Sequence, residues 1–83
     1  MATTSLDFSC NGQWQKVAGE GSVMVWGDDD FSAAMSGSAV TPSAGVVPLN
    51  ADTMHTMSVL TGDALYVNGS PGQVLKVWRQ TAP

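Results

Sequence analysis

The densest group of charged side chains in the sequence is a run of three carboxylates, Asp28, Asp29 and Asp30. Clustered carboxylate oxygens are the ligands that hard cations such as Ca²⁺ prefer. The run lacks the spaced acceptors and the terminal Glu of an EF-hand loop, and Gly27 precedes it. We therefore interpret it as a solvated turn whose charges also discourage pairing at a sheet edge. Binding of a cation, or of a basic patch on a partner, is the alternative interpretation.

Asp52, His55 and Ser58 are the residue types of a nucleophilic catalytic triad and lie close together in the sequence. The set carries little weight in a serine-rich chain, and the sequence contains no Gly-x-Ser-x-Gly turn to present a nucleophilic serine. Catalysis also requires a water-excluding pocket of roughly 300 Å³ or more, which so small an interior can hardly enclose. We expect His55 to be an ordinary strand residue and the protein not to be an enzyme, with no catalytic residues.

Cys10 is the only cysteine in the chain, so an intramolecular disulfide is excluded. Since His55 is the only histidine, the chain also has too few soft ligands for a structural zinc site. No basic residue neighbours Cys10 in the sequence, which is typical of a passive side chain rather than a nucleophile. We expect neither a metal nor a cofactor.

Aromatic side chains are the remaining candidates for a binding role. The chain has six: Phe8, Trp14, Trp26, Phe31, Tyr66 and Trp78. Tryptophans in so short a chain either stack against sugars or fill the core and a seam between subunits, and we favour the second use. The residues that we expect at an interface are Phe8, Trp14, Trp26, Asp28, Asp29, Asp30 and Trp78.

The elements that must position these side chains are short. Gly and Pro divide the chain into apolar segments that are too short for helices but rich in Val, Thr and aromatic residues, which indicates strands. We predict seven strands, at 13–18, 22–26, 31–36, 45–49, 55–60, 64–67 and 73–79. The turn signals between them predict an all-β fold, a small antiparallel β-sandwich or barrel. The single domain is expected to span residues 13–83, after a flexible, extended N-terminal arm over residues 1–12.

Two of the predicted strands are apolar on both faces. Residues 23–26 are all apolar, and residues 74–78 carry apolar side chains on both sides of Lys76. A strand of this kind needs cover on each face, but a two-layer sandwich of this size has only one inner face per sheet. A neighbouring subunit is the source of cover that we favour, although long side chains that curl over the sheet edges are an alternative.

Size and charge limit the possible partners. A chain of 83 residues buries a small core that barely offsets the entropy of ordering it, so association with other chains is the ordinary way to complete its stability. We expect a homo-oligomer, with a trimer favoured. The net charge of −4, with three Lys plus Arg against seven Asp plus Glu, argues against nucleic acid as the partner. The longest apolar run is four residues, 23–26, so we expect no membrane contact and no secretory signal.

Five short patterns extend from residue 14 to residue 77. They are Trp14 with Lys16 and Val17, Thr41 with Pro42, Val47 with Pro48 and Leu49, Gly-Asp-x-Leu-Tyr-Val at 62–67, and Pro-Gly-x-Val-x-x-Val at 71–77. This order of strands and turns resembles the small β-rich structural proteins of tailed-bacteriophage particles. Such proteins decorate or cement the capsid shell or form small parts of tails and fibres. The resemblance contains no catalytic motif, so it assigns no functional residue.

The function that we expect from the residues and the resemblance is structural and non-enzymatic. A protein needed in many copies on a shell is small, lacks disulfides because it assembles in a reducing cytoplasm, and gains stability from its neighbours. We therefore expect a capsid decoration or cement protein that is made in the host cytoplasm, located in the virion, and bound to the major capsid protein or another virion protein. A carbohydrate- or receptor-binding module of a phage tail or fibre is the alternative.

Overall fold

The computed structural model describes residues 2–37 and 46–81, which form eight β-strands and no helix. The strands are β1 (Ala2–Ser9), β2 (Gln15–Ala18), β3 (Gly21–Gly27), β4 (Phe31–Ser36), β5 (Val47–Leu49), β6 (His55–Val59), β7 (Ala64–Asn68) and β8 (Val74–Thr81). All seven predicted strands are present, with ends that differ by up to two residues. The predicted start of the fourth, Gly45, lies outside the described residues.

The strands form two four-stranded antiparallel sheets that pack together as a β-sandwich, which confirms the predicted fold class. Sheet A has the strand order β1-β8-β3-β6, and sheet B has the order β2-β7-β4-β5. Most neighbouring strands are distant in sequence, so the pairing is largely non-local. The central pair of sheet A, β3 and β8, is registered from Gly21 opposite Thr81 to Gly27 opposite Leu75.

The N-terminal segment is not the flexible arm that we expected. Strand β1 pairs with β8 along its whole length, from Ala2 opposite Thr81 to Ser9 opposite Val74. Its alternating pattern turns Leu6 and Phe8 toward the core, where both are half-buried. The polar Thr and Ser residues of this segment suggested an arm, but Thr suits an extended strand, and two inward apolar side chains are enough to attach it.

The core lies between the two sheets and consists mainly of inward-facing aliphatic side chains. The largest fully buried ones are Leu65, Leu75, Val23, Val25, Val67 and Val77. A bulge in β2, between Lys16 and Ala18, interrupts the ladder with β7. The guanidinium of Arg79 in sheet A donates to the Val17 carbonyl at this bulge, with an Nη1 to O distance of 2.9 Å. The bond links the two sheets and satisfies a carbonyl at a point where strand pairing is irregular.

The turn between β7 and β8 lies in the segment from Asn68 to Gly72, whose Asn-Gly pair and proline are typical of a hairpin turn. Gly69 does not have a positive φ; instead Gly72 does, at +87°, and the Gln73 amide donates to the Ser70 carbonyl at 3.0 Å. This combination of Pro71 followed by a left-handed Gly is the pattern of a type II turn. The proline sets the first turn angle, so the tight turn centres on Pro71 and Gly72, three residues later than a turn centred on Asn68 and Gly69.

Candidate binding surface on sheet A

The outer face of sheet A brings two of the three tryptophans together. In the ladder between β3 and β8, Met24 lies opposite Trp78, and Trp26 lies opposite Lys76. Trp26 and Trp78 are therefore diagonal neighbours, at positions about 7–8 Å apart that aromatic side chains can bridge. We call this surface the tryptophan face; it consists of Ser5, Asp7, Ser22, Met24, Trp26, Thr56, Ser58, Lys76 and Trp78.

Strand alternation explains why these side chains point away from the core. Val23 and Val25 of β3 are fully buried against sheet B, so Met24 and Trp26 between and after them point outward. In β8, Val77 is likewise fully buried and Trp78 is 52% exposed. The strands that the sequence shows to be apolar on both faces thus receive cover from sheet B on one side only. Met24 and Trp26 are half-buried, and the surface that they form with Trp78 is available for contact.

Charge on the tryptophan face is balanced. Asp7 and Lys76 form an ion pair with 3.0 Å between Oδ1 and Nζ. Both side chains are more than half exposed, so the pair contributes little to stability. The other six carboxylates of the chain lie in the connections between strands rather than on a sheet face. The face is therefore close to neutral although the chain carries a net charge of −4.

The other aromatic residues expected at an interface lie elsewhere. Phe8 points inward from β1 and packs against the core. Trp14 precedes β2 and is half-buried. Sequence reasoning missed Met24, Asp7 and Lys76 as members of the surface that holds Trp26 and Trp78. A two-residue spacing from Trp26 and Trp78 was the available signal for Met24 and Lys76, since residues i and i+2 of a strand share a face.

The three consecutive aspartates lie in the loop between β3 and β4, and all three are exposed. Their hydrogen bonds hold neighbouring loops together. The Asp30 carboxylate accepts from the Ala51 amide at 2.8 Å, and the Asp29 carboxylate accepts from the Asp30 amide at 2.8 Å. Within residues 2–37 and 46–81, no group of three or more His, Cys, Asp or Glu side chains is placed to hold a metal ion. The contacts of this loop are those of a structural turn.

The structure does not assemble Asp52, His55 and Ser58 into a triad. His55 and Ser58 are three residues apart in β6, so their side chains point to opposite faces of sheet A. The His55 ring contacts Phe31 edge-on, with 6.0 Å between ring centroids, and its Nε2 lies 3.0 Å from the Asn50 carbonyl oxygen. A carbonyl can only accept, so Nε2 donates this bond. His55 is thereby held as part of the packing beneath β6.

Cys10 is buried next to the turn between β7 and β8. Burial is the main reason that the pKa of its thiol is raised, and the negative charge of Asp28 raises it further, although a hydrogen bond with the Gly69 backbone lowers it. The thiol is therefore protonated at neutral pH and a poor nucleophile. The Cys10 backbone amide donates to the Gln73 carbonyl at 2.8 Å, which places the residue in a structural joint.

Open clefts of several hundred cubic ångströms lie on the described part of the molecule, although we expected no enclosed pocket of that size. A cleft of 570 Å³ lies between β4, β5 and β6 and is lined mainly by apolar side chains, with His55 as its titratable group. A cleft of 430 Å³ lies beside Asn68 and Pro71 at the other side of sheet B. The 570 Å³ cleft borders the edge of sheet A that β6 forms.

Comparison with known proteins adds no relative: no protein-family model, curated protein or solved structure matches the chain. The described residues include no helix long and apolar enough to cross a membrane.

Proposed function

We propose that this protein is a non-enzymatic structural component of a phage virion, a decoration or cement protein that binds the capsid shell through its tryptophan face. The observation that carries the proposal is the apolar surface formed by Met24, Trp26 and Trp78 on the uncovered side of two adjacent strands. Tryptophan and methionine are enriched at protein interfaces, and balanced charge on this face removes the repulsion that the acidic loops would otherwise produce. The partner that we propose is the major capsid protein or another virion protein.

The size of the face indicates how it would be used. Strand β8 has eight residues, which at about 3.4 Å per residue gives a length of about 27 Å. Four strands spaced by about 4.8 Å give a width of about 19 Å, so the face covers about 500 Å². A standard stable interface buries about 800 Å² per partner. One copy would therefore bind weakly, and a repeated partner that engages several linked copies would give the affinity that one copy lacks.

The remaining chemistry of the chain is consistent with a binding role. His55 and Ser58 point to opposite faces of their sheet, and burial keeps the Cys10 thiol protonated. The single histidine of the chain therefore cannot act as the base for Ser58. These facts support the non-enzymatic part of the proposal, because the side chains that could do chemistry are engaged in packing or in loop contacts.

The test is binding of purified chain to empty shells assembled from the major capsid protein of the phage that encodes it. Trp78 has 52% of its surface exposed, so docking would bury on the order of 100 Å² of the indole, worth about 2–3 kcal/mol. We expect Trp78→Ser to weaken co-sedimentation with shells roughly 30- to 150-fold. Val46→Ser is the matched control, because Val46 is a 44% exposed apolar side chain outside the face.

Equal binding by the Trp78→Ser and wild-type chains would refute docking through this face. The virion role would be refuted if the wild-type chain did not bind shells and a cryo-EM map of native particles also lacked it.

A carbohydrate-binding role is the second candidate, and the same face supports it. Two tryptophans on one open sheet surface, flanked by the Asp7 carboxylate and by hydroxyl groups, could stack against and hydrogen-bond to sugar rings. Quenching or a shift of tryptophan fluorescence on addition of sugars, lost in Trp78→Ser and retained in Val46→Ser, would favour this role as a tail or fibre module. No response to a broad glycan panel would argue against it.

A further inference from the structure

Each four-stranded sheet has two edge strands: β1 and β6 in sheet A, and β2 and β5 in sheet B. Three of these four edge strands carry a feature that discourages pairing with another chain. Strand β1 presents the charged Asp7. Strand β2 contains Lys16 and a bulge directly after it. Strand β5 has only three residues, and the middle one is Pro48, which cannot donate a backbone hydrogen bond. Charges, bulges, short length and proline are the usual ways in which proteins block an open sheet edge.

The fourth edge strand, β6, has none of these features. Its sequence, His-Thr-Met-Ser-Val, contains no Asp, Glu, Lys, Arg or Pro. Its five residues pair with β3 in a regular register from Val25 opposite His55 to Gly21 opposite Val59, with no bulge. Within the described part of the chain β6 has a paired neighbour on one side only. Its other side presents backbone groups that can extend the sheet.

The surroundings of β6 are also apolar. The 570 Å³ cleft between β4, β5 and β6 lies along this edge, with Val47 and Met54 at its rim. Val47 is 53% exposed and Met54 is 48% exposed. Leu60, directly after β6, is 68% exposed, the largest value among the exposed large hydrophobic residues of the described chain. A strand added to β6 would cover this surface.

We infer that the free edge of β6 pairs with β6 of a second copy of the chain, in antiparallel orientation about a two-fold axis at Met57. In this register Thr56 of each copy lies opposite Ser58 of the other, and His55 lies opposite Val59. One residue further out, Met54 of one copy lies opposite Leu60 of the other, so the two exposed apolar side chains that flank the strand come together at both ends.

A second copy fits this edge for two reasons. An isologous contact must be self-complementary, and the β6 pairing places the hydroxyls of Thr56 and Ser58 opposite each other and apolar side chains opposite each other at Met57 and at the flanking positions, with no carboxylate or lysine in the strand. Two chains of net charge −4 repel each other elsewhere, but the acidic side chains lie outside this strand. The inference specifies a two-fold dimer as the unit of self-association, whereas the sequence led us to favour a trimer.

Sedimentation of the full chain from micromolar to millimolar concentration tests the inference, together with a pair of charge variants. Thr56→Lys/Ser58→Lys places lysine opposite lysine at two points of the proposed seam, and we expect it to raise the dimer dissociation constant roughly tenfold or more. Thr56→Lys/Ser58→Glu places lysine opposite glutamate in the same register, and we expect it to restore the dimer. Gln13→Lys/Ser70→Lys, at two exposed sites away from β6, controls for the change in net charge.

A further readout requires no substitution. The backbone amides of β6 that face the open edge would show slower hydrogen exchange as concentration rises, with no such change for β1 amides at the opposite edge. A monomer throughout the range, a trimer, or a dimer that the lysine pair leaves intact would each overturn the inference. Circular dichroism of the variants establishes that any loss of the dimer occurs in folded chains. Because Trp78→Ser leaves β6 intact, failure of this inference and failure of the shell-binding proposal are distinguishable.

Discussion

Gln73 joins three loops at one end of the sandwich, and its replacement by Ala gives a direct test of how that end is held together. The side chain is almost fully buried. Its Oε1 accepts from the Ser70 amide at 3.0 Å, and its Nε2 donates to the Asp29 carbonyl at 2.8 Å. The backbone carbonyl of Gln73 also accepts from the Cys10 amide. The side chain therefore connects the turn before β8 to the loop between β3 and β4.

The loss of stability expected for Gln73→Ala follows from these hydrogen bonds. Each hydrogen bond in a protein contributes about 0.5–1.5 kcal/mol net, so loss of two removes about 1–3 kcal/mol. Ser70 and Asp29 are both exposed, so water can reach the groups left without a partner, and no large additional penalty is expected. The backbone bond to Cys10 is unaffected by the substitution. We expect Gln73→Ala to lower the free energy of unfolding by about 2 kcal/mol, equivalent to roughly 8–16 °C in Tm for a chain of this size.

Urea denaturation followed by circular dichroism measures this difference, provided that the m value is unchanged. Gln13→Ala, at an exposed glutamine before β2, is the matched control and should change stability little. If Gln73→Ala were no more destabilising than the control, the two side-chain bonds would not hold the loops in solution, and our account of this end of the sandwich would be wrong.

Two further predictions concern the same joint. A Cβ at Gly69 would lie 2.6 Å from Gln73 Oε1 and 2.7 Å from Cys10 Sγ, so we expect Gly69→Ala to cost about 1–3 kcal/mol in a melting experiment. Gly19→Ala, where no atom lies within 4 Å of the added carbon, should be close to neutral, and equal effects would refute the steric reason. Because burial raises the pKa of Cys10 in the folded state above its usual 9.0, the unfolded chain loses the thiol proton first as pH rises. The free energy of unfolding should therefore fall above about pH 9 by more in wild type than in Cys10→Ala, and identical pH profiles would contradict this.

Local pattern was sufficient to predict most of the strands. β3 and β8 are short apolar segments bounded by Gly or Pro, and such segments have few alternatives to an extended conformation. β1 was missed because its composition is polar and its attachment depends on β8, which lies at the other end of the chain. The residues from Asn68 to Gly72 indicate a turn before β8, and the structure adds that Pro71 and Gly72, rather than Asn68 and Gly69, set its backbone angles.

The candidate surface could be predicted only in part, for a similar reason. Two-sided apolar strands at 23–26 and 74–78 indicate that some side chains remain uncovered by the chain itself. Which of them share a surface depends on the register of β3 against β8, and that register is set by contacts between residues about fifty positions apart. The proximity of Trp26 and Trp78, and the balance of Asp7 by Lys76, both follow from that register and have no local signal in the sequence.

The two proposals concern the same sheet, and this has a physical consequence. A two-fold axis that pairs β6 with β6 runs perpendicular to sheet A, so the outer faces of both copies point in the same direction and form one eight-stranded surface. The tryptophan face would then double from about 500 Å² to about 1,000 Å², which exceeds the 800 Å² per partner of a standard stable interface. Weak docking by one copy would become stable docking by the pair, without any new kind of contact. Co-sedimentation of the unaltered chain with shells should therefore rise more steeply than in proportion to chain concentration over the range in which the dimer forms, and a strictly proportional rise would contradict this link.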